Sequence, residues 1–301
     1  MHRVLIEHPH ISSYSFCLLL GFFAGFLLAR WNARKAGLEG RHVDNVTLLL
    51  VVAGLMGARV FSWLFYFPPG IGFWKGLFLP GGGLVFYGGV IFGVATVGIY
   101  AALMRVSLRK LADVLAGPLA LGLAFGRIGC FAAGCCWGDL CVSGDVTANL
   151  TAPEKARIQT FAFVSSEGFG VRFPPETGAF KQHHRLGLIR HHASSSLPVH
   201  PVQLYEALLA FALVAWLQWR RSKPHAPGGL FCAFGVGYGV IRFALEFLRA
   251  DNSPAYLGLT LSQVISVITV GVFLPLLLYG ARGARAIRHG VPEAAGQLAP
   301  R

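Results

Sequence analysis

Seven long apolar runs constrain this chain more than any motif in it. They lie at about Ile11–Ala29, Asn45–Tyr66, Gly83–Met104, Leu111–Ala133, Pro201–Trp219, Gly228–Leu248 and Leu259–Tyr279. A helix of about 20 apolar residues crosses the hydrocarbon of a bilayer. In lipid the backbone must satisfy its own polar groups, which such a helix does. The expected fold class is an all-α polytopic membrane protein with about seven transmembrane helices. Charge content agrees: only 13% of the 301 residues are charged, where soluble domains carry about a quarter.

Basic residues flank alternate runs. Arg30, Arg34, Lys35 and Arg41 lie between the first and second, and Arg105, Arg109 and Lys110 between the third and fourth. Arg220, Arg221 and Lys223 lie between the fifth and sixth, and Arg282, Arg285 and Arg288 follow the seventh. Such segments face the cytoplasm, so the N-terminus is expected outside and the C-terminus inside. The same placement accounts for a formal charge of +13. Lipid headgroups and topology explain it, and no nucleic-acid partner is expected. Residues 1–10 make a poor signal-peptide n-region, so the first run is expected to be a retained helix.

Residues 1–282 are expected to form one membrane domain, with 283–301 as a flexible cytoplasmic tail. A long polar segment, 139–199, falls between the fourth and fifth runs and reads as a small irregular extracytoplasmic cap. It has room for short strands, for example at Thr160–Val164. Its pairs His183-His184 and His191-His192 read as solvated loop rather than metal ligands, because no carboxylate or cysteine stands at ligand spacing.

Ionisable residues at membrane depth are costly, and each marks a candidate site. Arg59 lies in the second run, Asp113 and Arg127 in the fourth, and Glu206 at the start of the fifth. Arg242, Glu246 and Arg249 share one helical face of the sixth, at i, i+4 and i+7. Ion pairs that merely hold helices together would explain any single one. As a set, Arg59, Arg127, Arg242 and Arg249 exceed the acids facing them. Arginine suits phosphate because its planar fork stays charged and donates in pairs. An anionic phospholipid in the outer half of the bilayer is the ligand this implies. Tyr14 could donate to that lipid or be an interface-belt tyrosine. The glycines from Gly81 to Gly83, with Gly88 and Gly89, suggest close backbone approach to a ligand or a helix.

The stretch Gly126-Arg127-Ile128-Gly129-Cys130-Phe131-Ala132-Ala133-Gly134-Cys135-Cys136-Trp137-Gly138 combines a buried cation, permissive backbone and thiols. With Cys141, the cysteines follow no standard zinc or iron–sulfur spacing. Structural disulfides such as Cys130–Cys135 or Cys136–Cys141, plain packing, redox or acceptor-thiol chemistry, and metal binding all remain open. Cys17 and Cys232 read as small apolar residues.

These motifs together resemble the prolipoprotein diacylglyceryl transferase family of the bacterial inner membrane. The resemblance runs over about residues 10–280. It rests on Gly126-Arg127-Ile128-Gly129 with Trp137-Gly138, on Gly57-Ala58-Arg59, and on His200-Pro201 with Gln203-Leu204-Tyr205-Glu206. It rests also on Arg242-Phe243 with Glu246-Phe247 and Arg249, and on Tyr14 and Asp113 in the family's positions.

The resemblance implies transfer of diacylglyceryl from phosphatidylglycerol to a lipobox cysteine of a preprotein, as a thioether, with no metal or cofactor. It implies catalytic roles for Arg127, Arg242 and Glu246, and for Tyr87 at the position of a family histidine. It implies substrate binding by Tyr14, Arg59, Arg127, Gly129, Gly138, Glu206 and Arg249. The chain departs from the family at Tyr87, and at Cys130 and Cys135, where the family has asparagine and glutamate. Cys130, Cys135, Cys136 and Cys141 therefore form a separate candidate thiol site. The alternatives are a membrane thiol-redox or metal-handling protein, or a non-catalytic lipid-binding relative on the same scaffold.

Overall fold

A computed structural model describes residues 4–6, 11–67, 72–78, 83, 85–141, 170–190, 192–250 and 258–288. Strand β1 (Val4–Ile6) pairs antiparallel with β2 (Ile11–Ser12), a small hairpin that the hydropathy pattern does not predict. The helices that follow are α1 (Ser13–Lys35), α2 (Gly40–Tyr66), α3 (Phe73–Phe78), α4 (Phe86–Leu103), α5 (Leu108–Ala133), α6 (Gly178–Arg185), α7 (Val202–Arg221), α8 (Gly229–Glu246) and α9 (Leu261–Arg288). Seven of them, all but α3 and α6, are long and apolar enough to cross a membrane. The protein is an all-α polytopic membrane protein, as expected. Leu19, Leu48, Val94, Leu208 and Ile268 are exposed on these helices, as lipid-facing side chains are.

Several helices overrun the apolar runs. α1 continues through Arg30 and Arg34 to Lys35, and α2 starts at Gly40 rather than Asn45. Helical hydrogen bonding does not stop where the hydrocarbon stops, and long basic side chains reach the interface from inside a helix. α9 extends to Arg288, so 283–288 are helical. Residues 289–301 lie outside the described residues.

The chain divides into two compact units, Phe26–Leu115 and, together, Met1–Gly25 with Ala116–Arg301. In the first unit, Ala29, Ala33, Val43, Val46, Tyr100, Ala101, Leu111 and Val114 form the core. α2 and α4 meet at Gly57 and Gly88, each placed so that an added Cβ would strike the other's carbonyl oxygen. The glycines of these two motifs thus serve close helix approach. Gly81 and Gly82 lie outside the described residues.

Pro118 has no N–H, so the carbonyl of Val114, four residues earlier in α5, lacks its helical donor. The buried Asn32 supplies one, Nδ2 to Val114 O at 3.1 Å.

In the second unit, Ala116, Ala120, Leu213, Leu217, Leu230 and Ala233 pack α5, α7 and α8 together. The described part of the cap gathers around Leu140, Phe173, Ala179 and Val199. Val199 makes isolated bridges to Leu140 and to Val171, and within the described cap no longer strand forms. Thr160–Val164 and His191 lie outside the described residues. The reading of His183 as solvated loop is overturned. Its ring is buried on α6, where Nδ1 accepts the Leu197 N–H at 3.2 Å. The amphipathic turn of α6 selects it: Ala179, Phe180 and His183 are one face of that helix.

Candidate functional site

The site grows out of the end of α5. The helix stops at Ala133, and Gly134 turns the chain with φ +69°. A Cβ there would strike Thr177, so both the conformation and the space call for glycine. Cys136 also has positive φ, +59°, a strained state for a residue with a side chain. Beyond it the chain is tied to two other elements. The Gly138 N–H donates to His200 O at 3.1 Å, and the Asp139 N–H to Leu248 O at 2.8 Å. Gly138 also bridges Arg249, and its missing side chain leaves room for His200 and Val202.

α7 then presents two buried polar residues one turn apart. Gln203 donates from Nε2 to Cys135 O at 2.7 Å. Glu206 accepts from Tyr238 Oη at 2.8 Å and pairs with Arg127 Nε at 2.9 Å. Arg242 NH1 stands 3.9 Å from the same carboxylate. Its NH2 reaches Glu246 at 2.7 Å and donates to Ser262 Oγ at 3.0 Å. Glu246 also accepts from Thr260 Oγ1 at 2.7 Å, and Arg249 Nε lies 3.7 Å away.

These contacts make a continuous chain, Arg127–Glu206–Arg242–Glu246–Arg249, across α5, α7 and α8 and on to Arg249 just past the end of α8. Both carboxylates are fully buried, while Arg127 and Arg242 keep 17% and 13% of their side chains exposed. Three guanidiniums and two carboxylates meet along it. The buried acids are thereby compensated, and the accessible edge of the chain is cationic.

Tyr14 belongs to the same unit. With Ser12, Ala133 and Cys135 it lines an open, largely apolar pocket of about 370 Å³. Gly129 faces Tyr14 and Cys17 of α1, where an added Cβ would stand 3.1 Å from the Tyr14 ring. Arg59 and Tyr87 lie in the Phe26–Leu115 unit and are described within it. Arg59 stands 5.9 Å from the Phe67 ring. Tyr87 is 43% exposed, edge-on to Phe86. Asp113 is buried in that unit.

The thiols separate into two environments. Sγ of Cys130, Cys135 and Cys136 all lie within 4.8 Å of one another. Cys141 is apart from them, buried in the cap against Gly170. None of the six cysteines, all of them described, is in a disulfide. Hydrogen bonds from Cys130 and Cys135, followed by the charges of Arg249 and Arg127, hold the Cys136 thiol below the usual thiol range. The Cys135 thiol is pushed up by its bonds to Cys130 and Cys136. Burial raises the carboxyl of Asp139 to about 6 and depresses His200.

Several participants escape a reading of the sequence. Gln203 sits inside a recognised motif, yet only the fold aims it at a cysteine carbonyl. Tyr238 precedes Arg242 by four residues, a helical spacing that would have flagged it. Thr260 and Gln263 form a reciprocal capping box at the start of α9, at 2.9 and 3.2 Å. The Thr-x-x-Gln pattern signals that cap, though not that Thr260 also binds Glu246.

Comparisons with known proteins complete the picture. The sequence profile of the prolipoprotein diacylglyceryl transferase family matches residues 3–279. A phosphatidylglycerol–prolipoprotein diacylglyceryl transferase of Clostridium tetani is 28% identical over 266 residues, 88% of this chain and 92% of that protein. One of Xanthomonas campestris is 30% identical over 301 aligned positions, 94% of this chain and 91% of that protein. A third, from Clostridium perfringens, is 27% identical over 273, covering 88% and 89%.

Proposed function

This chain belongs to the prolipoprotein diacylglyceryl transferase family, and on that premise we propose that it moves the diacylglyceryl group of phosphatidylglycerol to the lipobox cysteine of a preprotein. The product is a thioether, and glycerol phosphate leaves. The setting is a bacterial cytoplasmic (inner) membrane, with the N-terminus outside and the C-terminus inside.

The observation that carries this reading is the chain of two buried glutamates and three arginines, in which Arg127 and Arg242 keep an accessible edge. Glu206 takes Arg127 through Nε, and a guanidinium has five N–H donors, so the terminal nitrogens suit a phosphodiester. Arg242 is braced by Glu246 and Ser262. Fixed in this way, the two cations need little reorganisation as charge grows on the departing phosphate oxygen. Glu206, Glu246, Tyr238 and Arg249 are positioning residues in this scheme. Tyr14 and the pocket it lines suit the lipid glycerol region. Gly129 and Gly138 keep the surrounding backbone close. Arg59 and Tyr87 belong to the Phe26–Leu115 unit, and their proposed roles, substrate binding for Arg59 and catalysis for Tyr87, rest on their places in the family's motifs alone.

The test is complementation. In bacterial cells depleted of their own diacylglyceryl transferase, this chain should restore lipoprotein modification, and Arg127→Ala, expressed to the same level, should not. Restoration by both proteins, or by neither at normal expression, would overturn the assignment.

A further inference from the structure

Three thiols converge here, and two of them, Cys130 and Cys135, stand at the signature positions where the family carries an asparagine and a glutamate. Cys130 lies on the last turn of α5, and Cys135 and Cys136 on the turn beyond it. Several features impose their meeting. Gly134 starts the turn with positive φ, Cys136 is held in the left-handed region, and buried Gln203 grips the Cys135 carbonyl at 2.7 Å. A strained backbone that the surroundings hold in place points to a function for the side chain it aims.

The spacing suits a metal ion. Sulfurs bound at about 2.3 Å to a tetrahedral zinc stand about 3.8 Å apart. Thiols within 4.8 Å of one another reach that distance by small side-chain rotations. The cluster has three members, because Cys141 is buried elsewhere, in the cap. Three protein ligands with one open position describe catalytic rather than structural zinc.

We propose that Cys130, Cys135 and Cys136 hold a zinc-class divalent ion whose fourth position binds the acceptor cysteine as its thiolate. This rests on the transferase reading above, and it supplies the thiol activation that the family histidine's replacement by Tyr87 removes. On binding the ion, the acceptor thiol releases its proton to water. Its sulfur then attacks the glyceryl carbon esterified to phosphate. The C–S bond forms as the C–O bond breaks, and the electron pair leaves on the phosphate oxygen of glycerol phosphate beside Arg127 and Arg242. The neutral thioether is a weak zinc ligand and yields its place to the next thiol. The ion is neither oxidised nor consumed. Cys135 lines the same pocket of about 370 Å³ as Tyr14, so an acceptor sulfur held at the cluster stands beside the lipid glycerol region proposed above.

The test uses the full-length protein in nanodiscs containing phosphatidylglycerol. Zinc is quantified by mass spectrometry, and the ion is then exchanged for cobalt. About one zinc per chain is expected, with the thiolate-to-cobalt charge-transfer band and intense visible bands of a tetrahedral sulfur site. A cysteine-containing lipobox peptide should shift the visible bands, and its serine counterpart should not. Cys136→Ser and Cys135→Ser should lose the band while Cys232→Ser keeps it. No zinc above the level of Cys136→Ser would overturn the proposal. So would a disulfide among these thiols, seen as fewer alkylatable cysteines without reductant than with it. Undiminished thioether formation by chelator-stripped protein would sink the metal site and leave the transferase standing. A peptide-responsive cobalt spectrum without thioether product would support the metal site and count against the transferase.

Discussion

Glu206 binds Arg127 at 2.9 Å from a position in α7 that is almost wholly buried, so the carboxylate's charge is matched inside the protein rather than by solvent. The two residues act as a unit. Arg127→Ala should lower transfer from phosphatidylglycerol to a lipobox peptide by about 10²–10³-fold, the usual loss when one charge-stabilising donor is removed. Glu206→Ala leaves Arg127 unbraced and should destabilise the fold by roughly 3–5 kcal/mol, as breaking a buried pair does. In a double-mutant cycle on melting temperature, the combined variant should lose much less than the sum. Strict additivity would show that the pair does not couple.

Arg242 tests geometry rather than charge. Its NH2 serves both Glu246 and Ser262, and NH1 points toward Glu206. Lysine keeps the charge but cannot span these partners. Arg242→Lys should therefore lower kcat by at least about tenfold while leaving the melting temperature closer to wild type than Arg242→Ala. Wild-type kcat in the lysine variant would remove Arg242 from the phosphate-binding scheme.

Asn32 tests the proline in α5. It is the side chain that donates to the Val114 carbonyl, and a buried acceptor left alone costs about 1–3 kcal/mol. Asn32→Leu should lower thermal stability by that order. Pro118→Ala restores a backbone donor, and in that background the Asn32→Leu penalty should shrink. An unchanged penalty would show that Asn32 does not serve the proline's missing bond.

The cap offers a test in pH. Burial pushes His183 down to about 4, against about 6.5 when unfolded. Its folded pKa is depressed, so the unfolded chain takes up a proton first and stability is lost as pH falls from about 6.5 to 4. Asp139 works the other way. Burial raises it to about 6, so its ionisation costs the folded state, and that cost is relieved as pH falls from about 6 to 4. The two slopes oppose each other. His183→Asn preserves an acceptor for the Leu197 N–H and removes the histidine's slope. The variant's melting temperature should rise relative to wild type on acidification through this window. Parallel curves would contradict the assignment.

Much of the architecture was legible because hydrocarbon imposes one rule on every residue that enters it. Seven apolar runs had to become helices, since no other local structure satisfies the backbone there. The same cost exposed Arg127, Glu206, Arg242, Glu246 and Arg249 as candidates: a charge at that depth must have a partner. Their i and i+4 spacing placed Arg242 and Glu246 on one helical face, whereas Arg249, expected on the same face, follows just past the end of α8. The polar partners escaped notice because hydroxyls and amides carry no such cost. Ser262 and Thr260 look like ordinary helix-start residues, and His183 looks like ordinary loop.

What the sequence by itself determined, then, is the set of helices and the identity of the charged residues within them. It left open which carboxylate takes which guanidinium. That choice depends on distances between α5, α7 and α8, which local propensity does not encode. The cysteines show the same division. Their spacing supported disulfide, redox, packing and metal readings alike. Tertiary structure joined Cys130, Cys135 and Cys136 and sent Cys141 into the cap, because a left-handed turn at Gly134 and Cys136, held by Gln203, sets where each sulfur points.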